Sequence, residues 1–174
     1  MEHYWSRFAR NFDSRQSFVA GNDLIETVKT RLTHMKNLGH VLELGCGNGG
    51  YTTCIVDNAD TVTATDYSRE MVEQASKILC DNPKITVRQA DGHDTEFPDN
   101  SFDTVFMANL IHVIDRPETV IEECRRTLAP QGQLTITSFT VERMRVVQVV
   151  AGSNPVAPIF ESEGRRQRAG AGVR

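Results

Sequence analysis

The residues best placed to do chemistry cluster around Val41-Leu42-Glu43-Leu44-Gly45-Cys46-Gly47-Asn48-Gly49-Gly50. A short apolar run carries one acidic residue near its end, and a glycine-dense turn follows. This is the pattern of a strand feeding a loop whose backbone lies against a nucleotide-like ligand. Glycine lacks a Cβ, so such a loop can take unusual dihedrals and let a ligand approach the main chain. Further polar residues recur at similar positions: Asp66 after Thr61–Thr65, the pair Asp91-Gly92 after Ile85–Val87, and Asn109 after Phe102–Ala108. His112 follows three residues on, and its ordinary pKa of about 6.5 suits proton transfer near neutrality.

The elements that must position these residues read as an alternation. Residues 22–37 predict a helix capped by Asn22, with Ile25, Val28, Leu32 and Met35 in one stripe and Gly39 as its stop. Val41–Leu44 is a first strand, 50–57 a helix opened by the glycine turn, and Thr61–Thr65 a second strand ending at Asp66. Ser68 can cap a helix whose Met71, Val72, Ala75, Ile78 and Leu79 face inward, and Asp81-Asn82-Pro83 breaks it. Ile85–Val87 is a third strand. Phe102–Ala108 is a fourth, nearly continuous in apolar residues as a buried parallel strand should be. A helix from about Pro117 buries Val120, Ile121, Cys124 and Leu128. Pro130-Gln131-Gly132 then turns the chain into a fifth strand, Leu134–Phe139. Strands alternating with helices predict an α/β fold: a Rossmann-like three-layer sandwich, a mostly parallel sheet with helices on both faces. Ligands in such sheets bind at the carboxyl ends of the strands, so Glu43–Gly47, Asp66, Asp91 and Asn109 should share one rim. Aromatic residues Tyr4, Trp5, Phe8, Phe12 and Phe18 precede the alternation, with Trp5, Phe8 and Phe12 at helical spacing. They predict a helix packed on the body, where Tyr4, Trp5 and Phe8 could wall a pocket.

The loop alone leaves the ligand open. Gly45-Cys46-Gly47-Asn48-Gly49-Gly50 satisfies G-x-G-x-x-G, and Asp66 lies about 20 residues on, as in dinucleotide-binding domains. An NAD(P)-dependent oxidoreductase is therefore a competitor. Three details favour another ligand: Glu43 makes the loop E-x-G-x-G-x-G, a helical segment precedes the first strand, and Asp91-Gly92 follows the third.

The segments V-L-E-L-G-C-G-N-G, T-A-T-D-Y-S-R-E-M-V, Q-A-D-G-H-D-T-E-F-P-D-N-S-F-D, N-L-I-H-V-I-D and L-A-P-Q-G-Q-L-T-I-T, in that order, resemble the class I S-adenosylmethionine-dependent methyltransferases, in the small-molecule group of the type 11 kind. The resemblance runs from about Tyr4 to Phe139. It implies S-adenosyl-L-methionine as cofactor, a small-molecule methyl acceptor and in-line displacement. It implies that Gly45, Cys46 and Gly47 pass the backbone by the methionine part, and that Glu43 accepts hydrogen bonds near the ammonium or the loop amides. Asp66 would accept from the ribose hydroxyls, with Tyr67 and Met71 packed near the adenine. Asp91 would receive the adenine amino group, the Gly92 or His93 amide would face a ring nitrogen, and Asn109 would offer backbone near the sulfonium. His112 is the candidate base for acceptors that must lose a proton.

Composition bounds the partners. The net charge of −4 divides into −7 over residues 1–140 and +3 over 141–174. An acidic body argues against nonspecific nucleic-acid binding, which relies on cations displacing counterions. The fourth strand also ends in Ala108-Asn109-Leu110-Ile111, without the N-P-P-Y or D-P-P-Y typical of methyltransferases acting on base amino groups. No apolar run approaches the roughly 18 residues of a membrane span, and no secretion signal opens the chain. The four scattered cysteines predict free thiols and a cytoplasmic setting. The acidic residues Asp91, Asp94, Glu96, Asp99 and Asp103 read as a solvated loop rather than a metal cage.

The pattern breaks after Phe139. Residues 1–140 form the expected cofactor-binding domain and 141–174 an atypical, partly disordered tail, with the family's last strand pair missing or altered. Val146–Val150 could be a single strand. Gly152-Ser153-Asn154-Pro155 is what GGT-TCG-AAT-CC encodes, which resembles the T-arm of a transfer-RNA gene read as protein, so the fold is expected to be truncated with an unrelated tail. The fifth strand would then be an exposed edge able to pair in a homodimer, unless the tail covers it. A noncatalytic cofactor-binding remnant is the other alternative.

Overall fold

The computed structural model describes residues 22–139 and the backbone of 144–150. The predicted N-terminal aromatic helix and the tail from 151 onward lie outside them. At the centre stands β1 (His40–Leu44), flanked in parallel by β2 (Thr61–Asp66) and β4 (Phe102–Ala108). β3 (Ile85–Gln89) extends the sheet beyond β2, and β5 (Leu128–Phe139) extends it beyond β4. The order is β3-β2-β1-β4-β5-β6; the first five strands are parallel, and β6 (Met144–Val150) is antiparallel to β5.

Strand alternation sorts the core into two layers. Val41 and Phe106 face one side with Val28, Leu32, Ile55 and Leu79. These come from α1 (Asn22–Thr33), α2 (Thr52–Ile55, continued by a 3₁₀ turn, Val56–Asn58) and α3 (Arg69–Leu79). Leu42, Leu44, Val105 and Met107 face the other side, against Val120 and Cys124 of α4 (Pro117–Thr127). Burial on both faces is what the continuous apolar runs require.

Four features depart from expectation. The helix expected over 22–37 stops at Thr33, because the Asn58 amide donates to the Thr33 carbonyl (3.0 Å) and Asn37 is left-handed (φ 57°). The segment expected as a helix over 50–57 is one short α-turn followed by a 3₁₀ turn. Ser68 caps α3, its hydroxyl accepting from the Met71 amide, but Ile78 is 58% exposed. Met71, Ala75 and Leu79 at four-residue spacing fill the inner face and turn Ile78 outward. The turn Pro130-Gln131-Gly132 lies inside β5 as an irregularity: Phe102 pairs with Leu128, the register shifts, and Thr104 pairs with Gln133, with Gln131 at φ 68°.

Beyond β5 the described residues contain one strand. β6 includes the expected Val146–Val150 and runs along β5 from Phe139↔Met144 to Gln133↔Val150. The tail therefore occupies the β5 edge that would otherwise have been open to a second copy.

Gly49 ties the loop to this packing. Its φ is 89°, and a Cβ there would lie 2.7 Å from Leu79 Cδ1 in the core. Gly49→Ala is expected to destabilise the fold by about 1–2 kcal/mol, from the left-handed backbone cost alone. A urea midpoint unchanged from wild type would refute this.

Candidate functional site

Strand order reverses between β1 and β4, and the loops leaving the carboxyl ends of β1, β2, β3 and β4 surround a cavity of about 400 Å³ there. Its wall includes Gly45, Gly47, Asp66, Tyr67, Met71, Asp91, Gly92 and Asn109, so eight of the expected ligand-contact residues meet in one place.

The loop after β1 is stitched to β2. The Cys46 amide donates to the Thr65 carbonyl (2.8 Å) and the Gly47 amide to Asp66 Oδ2 (2.9 Å). Gly45 and Gly47 have φ of 72° and 56°. A Cβ on Gly45 would sit 3.0 Å from Leu110 Cδ1, so glycine lets the loops after β1 and β4 close on each other.

Asp66 ends β2 at the cavity. Its Oδ1 accepts the Ser68 amide at 2.9 Å, as Oδ2 accepts that of Gly47. Burial pushes its pKa up, while the amides of Ser68, Gly47 and Tyr67 oppose that rise. A carboxylate offers about four lone-pair sites, so acceptor capacity remains for a ligand hydroxyl. Next to it, Tyr67 is 48% exposed and Met71 is buried, forming an apolar shelf on the cavity wall.

At the end of β3, Asp91 Oδ1 accepts both the His93 amide (2.9 Å) and His93 Nδ1 (2.7 Å). The His93 amide is therefore given to Asp91. Desolvation works against the Asp91 charge, but the His93 amide and ring outweigh it and hold the carboxyl below its usual range. Asn109 is left-handed (φ 55°), with its amide donating to the Thr137 carbonyl at 2.8 Å and its side chain 3.5 Å from the Tyr51 hydroxyl.

Three expected residues are not on the wall: Glu43 and Cys46 are buried behind it, and His112 is exposed beside it. Glu43 is 1% exposed on the α1–α2 side of β1, and the Thr52 hydroxyl donates to its Oε2 at 2.6 Å. Burial raises its pKa to about 7, against the Thr52 hydrogen bond and with a smaller contribution from Asp66. Cys46 is buried and desolvation pushes its thiol far up, which disfavours the thiolate a nucleophile needs. All four cysteines are free. His112 Nδ1 lies 3.1 Å from Ser138 Oγ, and desolvation lowers its pKa.

The cavity also uses residues not singled out above. Leu110, Val113 and Ile114 form an apolar wall after β4, and Asp115 and Arg116 close it at the head of α4. Their sequence signal was the apolar spacing within N-L-I-H-V-I-D. The nearby acidic residues have local partners: Asp99 pairs with Arg126 (2.6 Å), and Asp103 accepts the His40 amide (2.8 Å). No helix among the described residues is long and apolar enough to cross a membrane.

Comparison with known proteins follows the same geometry. The pattern of the family described as "Methyltransferase domain" matches residues 42–136. Phosphatidylethanolamine N-methyltransferase of Cereibacter sphaeroides is 33% identical over 103 residues, 58% of this chain and 50% of that protein. Demethylmenaquinone methyltransferase of Clavibacter sepedonicus is 27% identical over 129 residues, 74% of this chain and 53% of that protein. The chain thus spans about half the length of these relatives. Among solved structures, the DhpI–SAM–HEP complex superposes with a TM-score of 0.67 at 33% identity, covering 79% of this chain and 64% of that one. A SAM-dependent methyltransferase from Aquifex aeolicus shares the fold at a TM-score of 0.62 and 23% identity, covering 78% of this chain and 73% of that one. Fold, loop and sequence pattern agree, and the chain belongs to the class I S-adenosylmethionine-dependent methyltransferases.

Proposed function

We propose that this chain holds S-adenosyl-L-methionine in the cavity at the switch point and transfers its methyl group to a small-molecule acceptor. The observation that carries the reading is Asp66: a carboxylate at the tip of β2, anchored by the amides of Gly47 and Ser68, on the wall of a cavity closed by the glycine loop. The residues fit the cofactor's parts. Asp66 suits a ribose diol, the Tyr67–Met71 shelf suits the face of adenine, and Asp91 suits its amino group. The backbone at Gly45, Gly47 and Asn109 offers close approach for the methionine part and the sulfonium. About 400 Å³ is within the range of small-ligand sites.

When bound, the cofactor supplies a methyl group already activated for in-line displacement. The protein's share is to orient the reactants and exclude water. Leu110, Val113 and Ile114 provide the dry wall. His112 stands off the cavity wall, next in sequence to Val113 of it; with its pKa lowered by desolvation, it would serve as a neutral base for an acceptor that reaches past that wall and must lose a proton. His112→Gln is then expected to leave cofactor affinity unchanged while slowing transfer to such acceptors.

Calorimetry with S-adenosylhomocysteine and with NAD tests the reading. Binding of the thioether and none of NAD is expected; the reverse would establish the dinucleotide alternative. Thioether binding without methyl transfer to a panel of amine, thiol, hydroxyl and carboxylate acceptors would instead identify a noncatalytic cofactor-binding remnant.

A further inference from the structure

His93 joins two walls of the cavity. Its Nδ1 lies 2.7 Å from Asp91 Oδ1, and its Nε2 lies 2.6 Å from the Asp115 carbonyl oxygen. Both partners are acceptors. A neutral imidazole has one N–H and can donate to only one of them, leaving the other nitrogen lone pair against an oxygen. Only the imidazolium donates at both ends. The ring is 19% exposed, so water replaces a lost partner poorly.

The two acceptors sit on different elements. Asp91 closes the end of β3, where a bridge to Asp94 shapes the loop. Asp115 precedes Arg116, which is left-handed (φ 49°) and opens α4. His93 thus ties the loop after β3 to the head of α4, and Asp91, Asp115 and Arg116 all line the cavity with it. The charged groups facing the ring are Asp91, which favours its cation, and Arg116, which opposes it.

We propose that His93 is a positioning residue: as an imidazolium it clasps the β3 loop to the head of α4 and fixes Asp91 through Oδ1, so that cofactor binding is coupled to one proton on this ring. The proposal rests on the cofactor reading above. Because both Asp91 contacts use Oδ1, the clasp leaves Oδ2 as the oxygen that would accept from the ligand's amino group. The Asp115 carbonyl, and then Asp91, hold the His93 pKa above its ordinary 6.5. Cofactor that favours the clasped state must favour the proton by the same factor.

Two measurements test this. In histidine-¹⁵N-labelled protein without ligand, the ring resonance that disappears in His93→Gln is expected to keep both N–H protons to a pH above 6.5. Calorimetry with S-adenosylhomocysteine should show affinity about fivefold or more weaker above that pKa than below it, and no such change in His93→Gln. A ring that titrates at or below 6.5, or equal pH dependence in wild type and variant, overturns the clasp. Should His93→Gln fail to fold, Asp91→Asn must lower the pKa of one histidine; no change in any of them overturns it equally. Thioether binding with pH-independent affinity defeats the clasp alone. No binding at any pH, with the ring pKa raised, defeats the cofactor reading and the coupling with it.

Discussion

Asp66→Ala is expected to weaken S-adenosylhomocysteine binding by about 1.5–3 kcal/mol, the range for losing hydrogen bonds to a charged group. That is roughly 10–150-fold in dissociation constant. The carboxylate has two tasks, and they can be separated. Toward the protein, it accepts the Gly47 and Ser68 amides and so holds the glycine loop against β2. Toward the cavity, its remaining lone pairs await the ribose hydroxyls. Asp66→Asn keeps the size and one acceptor oxygen but loses the charge and sets an NH₂ against one of those amides. It should therefore bind more weakly than wild type and more tightly than Asp66→Ala. Affinity unchanged in both variants would reject the ribose role. Equal losses in both, accompanied by an equal loss of thermal stability, would assign Asp66 to loop architecture alone.

The parts of this site that were legible in sequence are those fixed locally by backbone. Asp66, Asp91 and Asn109 each stand just after an apolar strand, and a parallel sheet puts strand ends on one rim. The parts that were not legible depend on which face a side chain takes or on partners far along the chain. Glu43 two residues before Gly45 reads as a ligand contact. Strand alternation instead places it on the face shared with Val41, where Thr52 meets it in the protein interior. His93 reads as an adenine-side loop residue, and its ring gains a role only when Asp115, 22 residues on, arrives at its Nε2. The conformation of Gly49 makes sense only beside Leu79, which comes from another element. The bulge in β5 was legible as a turn, because Pro130 and Gly132 mark irregular backbone; its place within a paired strand emerges only from the ladder to β4.

Glu43 leads to the second large effect, on stability rather than binding. Its carboxyl ionises near 4.5 when exposed and near 7 in the fold, because burial penalises the charge. Between those two values the folded state binds more protons than the unfolded state, so stability must fall as pH rises. The contribution is complete below 4.5 and lost as pH passes through about 7. A difference of this size corresponds to about 3 kcal/mol over that window. Asp66, also raised by burial, contributes with the same sign. Glu123, held near 2 by Arg126 and Thr95, acts in the opposite sense, and its contribution is lost only as pH falls below the ordinary carboxylate range. Glu43→Gln isolates the buried group: it keeps a carbonyl oxygen for the Thr52 hydroxyl and cannot ionise. Urea denaturation from about pH 4.5 to about 7 should show wild type losing roughly 3 kcal/mol more than Glu43→Gln. Parallel curves for the two proteins would mean that Glu43 ionises in the fold as it does in water. The same proton bears on the loop, since Glu43 lies two residues before Gly45, the Asp66 charge acts on it, and its own charge acts on the Cys46 thiol. Protonating Glu43 removes a like charge from the neighbourhood of Asp66, the carboxyl that the Gly47 and Ser68 amides hold at the cavity.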